Sequence, residues 1–333
     1  MYESYYGFSE RPFQLTPSAA CFYAGKLHKK ALAYLQYGLS QGEGFIVITG
    51  DVGTGKTTIA NQLLAQLSPD EIVARQIVTS KLAPDDLIRM IASSFNLVVT
   101  EHGKASYLDA IYLYLKRLHT QHRRALLLVD EAQNLPLESI EELRMLSNFQ
   151  LNGTPLIQSF LLGQNELNAI IQAPNMEQFR QRIIASTNLT PLQEDETREY
   201  IEFRLRTAGL KEPLLCQEAY PLIHRFSRGI PRKINLLMDR VLLLGFLEQQ
   251  TFLTQEHIEK VITEIQGEIT HQQTESAFSS SQPLRTSSAV TAPDLVNEPI
   301  QQLLNDSLEL KIRMLKELDE LILKKQKEQG DKL

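Results

Sequence analysis

A chain of 333 residues, 43% of them hydrophobic, has room for one large or two modest domains with a sizeable core, and reads as globular. Its net charge of −6 argues against a surface given over to non-specific nucleic-acid binding, while leaving room for a local basic patch. Cys21 and Cys216 stand far apart with no Cys-x-x-Cys or His cluster beside them, which fits a reduced intracellular compartment better than a disulfide or zinc framework.

No apolar run approaches the roughly 18 residues that a membrane span needs, and the start Met1-Tyr-Glu-Ser-Tyr-Tyr lacks a basic region followed by an apolar one. The expected location is the cytoplasm, with any approach to the inner membrane made peripherally through a partner.

In chain order, residues 1–44 open with Tyr5, Tyr6, Phe8 and Phe13 around Pro12 and Pro17, then show Leu32, Leu35, Tyr37 and Leu39 at helical spacing. Next comes an apolar run, Phe45-Ile-Val-Ile-Thr, feeding Gly50-Asp51-Val52-Gly53-Thr54-Gly55-Lys56-Thr57-Thr58 and a helical pattern. This is a Walker A phosphate loop in its full spacing, with strand before and helix after. Its glycines let backbone N–H groups turn inward on phosphate oxygens, and the helix adds its positive end. Lys56 would neutralise the β and γ phosphates, and Thr57 would give its hydroxyl to magnesium. The aromatics of the first segment have two open readings: packing in a core, or covering the adenine of a nucleotide held by this loop.

Ile59, Leu63, Leu64 and Leu67 continue a helix that Ser68-Pro69 ends, Ile72–Val78 reads as a strand, and helices follow at about Asp85–Phe95 and Ser106–His119. Ala125-Leu-Leu-Leu-Val129 then forms a continuous apolar run, suited to a strand buried on both faces, that ends in Asp130-Glu131. Paired with the upstream loop this is a Walker B strand. Asp130 is the magnesium ligand at the strand's carboxyl end, and Glu131 orients the attacking water. Leu137–Phe149 reads as a helix and Pro155–Leu162 as a fourth strand, ending at Gly163-Gln164-Asn165, where a polar side chain would lie beside the γ phosphate. Ile183–Leu189 is a fifth strand, after which helices are expected at Glu194–Ala208, Gln217–Phe226, Pro231–Glu248 and Thr254–Gln266. Alternating strands and helices imply a parallel sheet covered on both faces, with its ligand at the carboxyl ends of the strands.

The sequence divides into an N-terminal segment (1–44), a P-loop core (45–190), an all-helical lid (191–267), a polar linker (268–299) and an amphipathic tail (300–333). The linker is too rich in Ser, Thr, Gln and Pro to bury a core. In the tail, Leu304, Leu308, Lys311, Leu315, Leu318 and Ile322 follow an a/d heptad. Roughly three heptads suit self-association as a short coiled coil, docking on a partner, or a lone amphipathic or membrane-surface helix.

Met1-Tyr-Glu-Ser-Tyr-Tyr-Gly-Phe, Arg11-Pro-Phe-Gln-Leu-Thr-Pro17, Gly42-Glu-Gly-Phe, Asp130-Glu-Ala-Gln-Asn134-Leu and Gly229-Ile-Pro-Arg232 together resemble the AAA+ ATPases of the general secretion pathway A type. Within these, they are most similar to the secretion-ATPase subgroup of exosortase and PEP-CTERM exopolysaccharide loci. The resemblance covers about residues 1–267, and the N-terminal aromatic segment is the part specific to the subgroup. It implies an ATP- and Mg2+-dependent ATPase acting as a homo-oligomer with a protein partner in secretion or polysaccharide export. It further implies that Gln164 is sensor 1, that Arg232 is sensor 2, and that Arg182 is an arginine finger offered to a neighbouring subunit, with Arg180 as the competing candidate. Larger members carry a membrane span and a periplasmic peptidoglycan-binding domain, neither of which is expected here. Two other readings stand beside this one: a DNA-associated ATPase of the transposition or replication-initiation type, and a nucleotide-gated scaffold with incidental turnover. The negative charge and the lack of a helix-turn-helix pattern count against DNA.

Overall fold

Five strands, of which Phe45–Gly50 and Arg124–Asp130 fall on nearly continuous apolar runs, are joined into one sheet in the computed structural model, which describes residues 2–14, 23–100 and 103–279 with side chains to residue 268. In chain order the elements are α1 (Tyr2–Tyr6), α2 (Lys26–Gln41), β1 (Phe45–Gly50), α3 (Lys56–Gln66), β2 (Ile72–Val78), α4 (Pro84–Ser94) and α5 (Lys104–Thr120). There follow β3 (Arg124–Asp130), α6 (Leu137–Leu146), β4 (Gln150–Leu151), β5 (Thr154–Pro155), β6 (Ile157–Gly163), α7 (Glu166–Ile171), α8 (Glu177–Arg180) and β7 (Ile183–Leu189). Helices α9 (Glu194–Thr207), α10 (Ala219–Ser227), α11 (Pro231–Leu247) and α12 (Gln255–Ser279) complete the described chain. Residues 1–272 form one compact unit.

The sheet runs β2-β3-β6-β1-β7, with every pair parallel. Side chains alternate across it, as period-two backbone requires. Phe45, Val47, Leu127, Val129 and Leu161 face one layer with Ile88, Ile91, Ile111, Leu115, Ile140 and Leu143 of α4, α5 and α6. Ile46, Ile48, Leu126, Leu128, Phe160 and Leu162 face the other with Ala31, Leu35, Ile59 and Leu63 of α2 and α3. Both faces are therefore dry, which is why most of β1 and β3 reads as unbroken apolar runs, while β6 interrupts its own with buried Gln158 and Ser159.

A third cluster is built from α9 to α12, and the N-terminal aromatics belong to it. Tyr2, Phe8 and Phe13 are buried with Ile201, Leu205, Ile234, Val241 and Leu253, so the open choice between packing and covering adenine resolves, for Phe8 and Phe13, to packing. The backbone is stitched down as well. Ser9 N donates to Ala208 O at 2.8 Å, Arg204 Nε to Pro12 O at 2.6 Å, and Asn235 Nδ2 to Gln14 O at 3.2 Å. Tyr2 donates its phenol to Asp239, and burial together with that carboxylate pushes the Tyr2 pKa up. The chain then returns to the sheet: Lys26 N donates to Glu196 Oε1 at 3.1 Å, and α2 packs over β7 and β1. The first segment thus straps the helical region to the sheet.

Several expected boundaries move. The helix expected over Leu137–Phe149 ends at Leu146, and the strand expected from Pro155 begins at Ile157. Between them β4 and β5 pair as a hairpin, its turn made by Asn152 and Gly153 at φ 54 and 81, the Asn-Gly chemistry of a tight two-residue turn. The expected helix start at Gln217 moves to Ala219. The last helix runs to Ser279, so the linker expected from residue 268 is helical over its first stretch. Polarity alone does not stop a helix, and no Pro occurs until Pro283. The rest of that linker and the heptad tail lie outside the described residues. Among the described residues no helix is long and apolar enough to cross a membrane, and Cys216 is a free thiol.

Candidate nucleotide site

The pieces of the site leave from the carboxyl ends of adjacent parallel strands, where open α/β sheets place their ligands. β1 ends in the glycine loop, β3 in Asp130-Glu131, β6 in Gly163-Gln164, and β2 in Val78-Thr79.

The loop holds the residues expected of it. Gly50, Asp51, Val52, Gly53, Thr54 and Gly55 make the turn, and Lys56, Thr57 and Thr58 open α3, whose first-turn N–H groups have no helical carbonyl to bond. Gly53 sits at φ +85, and a Cβ there would come within 2.6 Å of Arg232 Cβ. Glycine is therefore what lets α11 seat its first turn on the loop, where Arg232 N donates to Gly53 O at 3.3 Å. Thr54 is buried and donates its hydroxyl to Asp51 O at 2.9 Å. Lys56 is buried, with Nζ donating to Gly50 O and Asp51 O, each at 2.9 Å. Burial holds its pKa below the ordinary lysine value, opposed by the carboxylates of Glu131, Asp130, Asp51 and Glu166.

Thr57 and Asp130 are separated by 73 positions in sequence, yet Thr57 Oγ1 donates to Asp130 Oδ2 at 2.9 Å. A hydroxyl and a carboxylate side by side are hard oxygen donors, the set magnesium takes when it keeps its remaining positions for water and phosphate. The residues present therefore fit that ion. Asp130 is also fixed from behind: its Oδ1 accepts Glu131 N at 2.9 Å, and Gln76 Nε2 reaches Oδ2 at 3.4 Å. Thr79 clamps the end of β3, its hydroxyl lying 2.9 Å from both Asp130 O and Glu131 O.

Glu131 takes the left-handed conformation, φ 54, uncommon for a side chain of its size. Its Oε2 receives Gln133 Nε2 at 2.6 Å and Gln164 Nε2 at 3.3 Å. Gln164, expected beside the γ phosphate, thus meets the carboxylate expected to act on water. Its neighbour Asn165 donates Nδ2 to Asp51 Oδ1 at 2.7 Å, which ties β6 to the glycine loop.

The arginines separate. Arg232 stands on the loop, with an exposed side chain. Arg182 lies at the other end of the sheet: its carbonyl accepts Phe45 N at 2.9 Å, level with the start of β1. That is five residues, about 17 Å at strand rise, from Gly50. Its guanidinium donates to Ser147 Oγ at 2.8 Å, while Arg180 donates to Ile171 O and Ala173 O, each at 2.8 Å. The fold brings neither to the glycine loop of its own chain.

Sequence reasoning assigned no role to Gln133, Thr79 or His28, and named Asn165 only as part of the polar end of the fourth strand. His28, in the first turn of α2, is buried with Nε2 3.0 Å from Thr54 O. Burial lowers its pKa, opposed by the Thr54 carbonyl and the Glu196 carboxylate. Gln133 was legible as a letter of the Asp130-Glu-Ala-Gln-Asn134 motif. Nothing in the sequence showed that His28 and Thr79 would meet the loop and the β3 end.

A glycine loop leaving β1 of this parallel sheet, with Thr57 against Asp130 at the end of β3, two strands over beyond β6, defines a P-loop protein of the AAA fold, followed by a helical region. Residues 39–171 match the AAA domain family. The chain is homologous to general secretion pathway protein A of Aeromonas hydrophila, at 37% identity over 268 residues, which cover 80% of this chain and 49% of that protein. It thus spans about half the length of that relative. Among solved structures it resembles Cdc6p of Pyrobaculum aerophilum (TM-score 0.59, 20% identity, 75% of this chain and 70% of that one). It also resembles the ORC1 protein of Aeropyrum pernix, solved in complex with DNA (TM-score 0.58, 18% identity, 78% and 70%). Identities this low speak for the fold alone.

Proposed function

We propose that this chain is a cytoplasmic ATPase that binds ATP with magnesium and hydrolyses the γ phosphate as a homo-oligomer. Turnover is coupled to assembly or remodelling of an envelope secretion or exopolysaccharide-export system. The observation that carries the reading is the Thr57–Asp130 hydrogen bond, which assembles the metal ligands of two separate motifs beside Glu131.

In this reading Lys56 exchanges its two loop carbonyls for β and γ phosphate oxygens, and Thr57 and Asp130 would hold magnesium, Asp130 through water. The ion held there would supply charge neutralisation of the phosphates. Glu131 orients the water for in-line attack, Gln164 senses the γ phosphate, and Arg232 brings a positive charge from α11, so that the helical region acts as a lid. The homology to general secretion pathway protein A supports the secretion context. The exopolysaccharide subgroup rests on the N-terminal residues Met1 to Pro17, of which 2–14 are described and belong to the strap.

The test is release of inorganic phosphate from ATP by the purified chain, with magnesium and with magnesium chelated. Magnesium-dependent release is expected; a chain that neither binds nor cleaves ATP would overturn the reading.

A further inference from the structure

The short helical turn Ala132–Asn134 carries a side chain that no role above uses. Gln133 engages both ends of its amide. Its Oε1 accepts the backbone N–H of Gln164 at 2.9 Å, and its Nε2 donates to Glu131 Oε2 at 2.6 Å. A peptide N–H can only donate, so the amide oxygen must face β6 and the NH2 must face Glu131. Gln164 Nε2 reaches the same carboxylate oxygen at 3.3 Å, closing a ring of Glu131, Gln133 and Gln164. The turn is pegged on its far side by Asn134 Nδ2, which donates to Thr79 O at 3.2 Å. Gly163 supplies the room, since a Cβ there would stand 3.0 Å from Gln133 Oε1.

We infer that Gln133 is a positioning residue, which sets the rotamer of Glu131 and ties it to the end of β6, so that movement of Gln164 is passed to the carboxylate. The inference rests on the hydrolysis reading above. Among the described residues both neutral donors meet the same Glu131 oxygen, Oε2, and Oε1 would be the one to meet the water. Because Gln133 holds the Gln164 backbone and the Glu131 side chain through one rigid amide plane, the end of β6 cannot shift without turning the carboxylate. A group that registers the γ phosphate and the group that directs the water are thereby one mechanical unit. A reacting group misplaced by about 1 Å loses roughly 10²-fold in rate.

The test compares the full-length wild type, Gln133→Met and Gln133→Glu by steady-state phosphate release across pH and by ATP affinity. Gln133→Met removes both polar contacts, and is expected to lower kcat about 10²-fold while ATP affinity holds, because no phosphate contact is lost. Gln133→Glu has the same shape and can still accept the Gln164 N–H, so it loses only the donor to Glu131 and sets two carboxylates in contact. One of them then keeps its proton to higher pH, and the acid limb of kcat is expected to move upward relative to wild type. Lys56, Asp130, Asp51 and Glu166, the charges that share this site with Glu131, are unchanged by either substitution. Wild-type kcat and pH profile in both variants would overturn the inference, as would ATP affinity falling in step with kcat in Gln133→Met, the mark of a merely structural role. A wild type without turnover would instead overturn the hydrolysis reading, and the inference with it.

Discussion

At Lys56 burial and charge pull against each other: desolvation disfavours the ammonium, and four carboxylates favour it. An anionic phosphate entering the loop adds to the second side, so Lys56→Ala should abolish nucleotide binding. Glu131 touches no phosphate in the proposed mechanism, and Glu131→Gln should bind ATP as wild type does while losing turnover. Nucleotide affinity and phosphate release measured on both variants check the split, and equal loss of binding would refute it. His28 gives a prediction of a different kind. Its folded-state pKa lies below the ordinary 6.5, so the folded chain holds fewer protons than the unfolded one. The stability tied to His28 is therefore fully present above about pH 6.5 and is lost as pH falls through the lower folded value. Thermal melts from about pH 7.5 to about pH 5.5 should fall more steeply for wild type than for His28→Gln; parallel curves would remove His28 as the cause.

At the scale of elements, the N-terminal strap is the piece whose type and partner come apart. Its aromatics announce burial, but burial against what is decided by α9 to α12, some 190 residues further along: Arg204 reaches Pro12 O across |i−j| = 192. Phe13 is 2% exposed, so Phe13→Ala should cost about 3–5 kcal/mol, read as a lowered denaturant midpoint. The same variant should loosen the seat of α11 on the glycine loop, because Asn235 on that helix is held by Gln14 O. Unchanged stability would mean that the strap is dispensable. The sheet strands behave oppositely. β2 and β7 occupy the stretches expected from sequence, Ile72–Val78 and Ile183–Leu189, since segments rich in β-branched residues, one following Pro69 and one ending before Pro191, mark them locally. The β4–β5 hairpin escaped notice because two-residue strands have no periodicity to read, although Asn152-Gly153 was its signal.

For the whole molecule, the placement of Arg182 just before β7, about 17 Å of strand away from the glycine loop, keeps it from its own chain's loop, so that in the proposed homo-oligomer it would serve a nucleotide on another copy. An arginine stabilising transition-state charge is worth about 10³ to 10⁵ in turnover, so Arg182→Ala should bind ATP and be nearly inactive. Mixing sharpens the claim. A Glu131→Gln subunit keeps its Arg182, an Arg182→Ala subunit keeps its Glu131, and an interface joining the two contains every group needed. Phosphate release should recover when the two are mixed under conditions of subunit exchange. No recovery, with exchange confirmed, would exclude Arg182 in trans and put Arg180 to the same test.

Sequence by itself determined the glycine loop, the acidic end of β3 and the alternation of strands with helices, because each is written within a dozen consecutive residues and needs no distant partner. Tertiary structure alone decided that Thr57 meets Asp130, that Arg232 stands on Gly53, that His28 touches Thr54, and that Gln133 links Glu131 to Gln164. Those contacts depend on which strands lie side by side in the order β2-β3-β6-β1-β7. Strand order is fixed by how the helices cover the two faces, and no single stretch of chain encodes it.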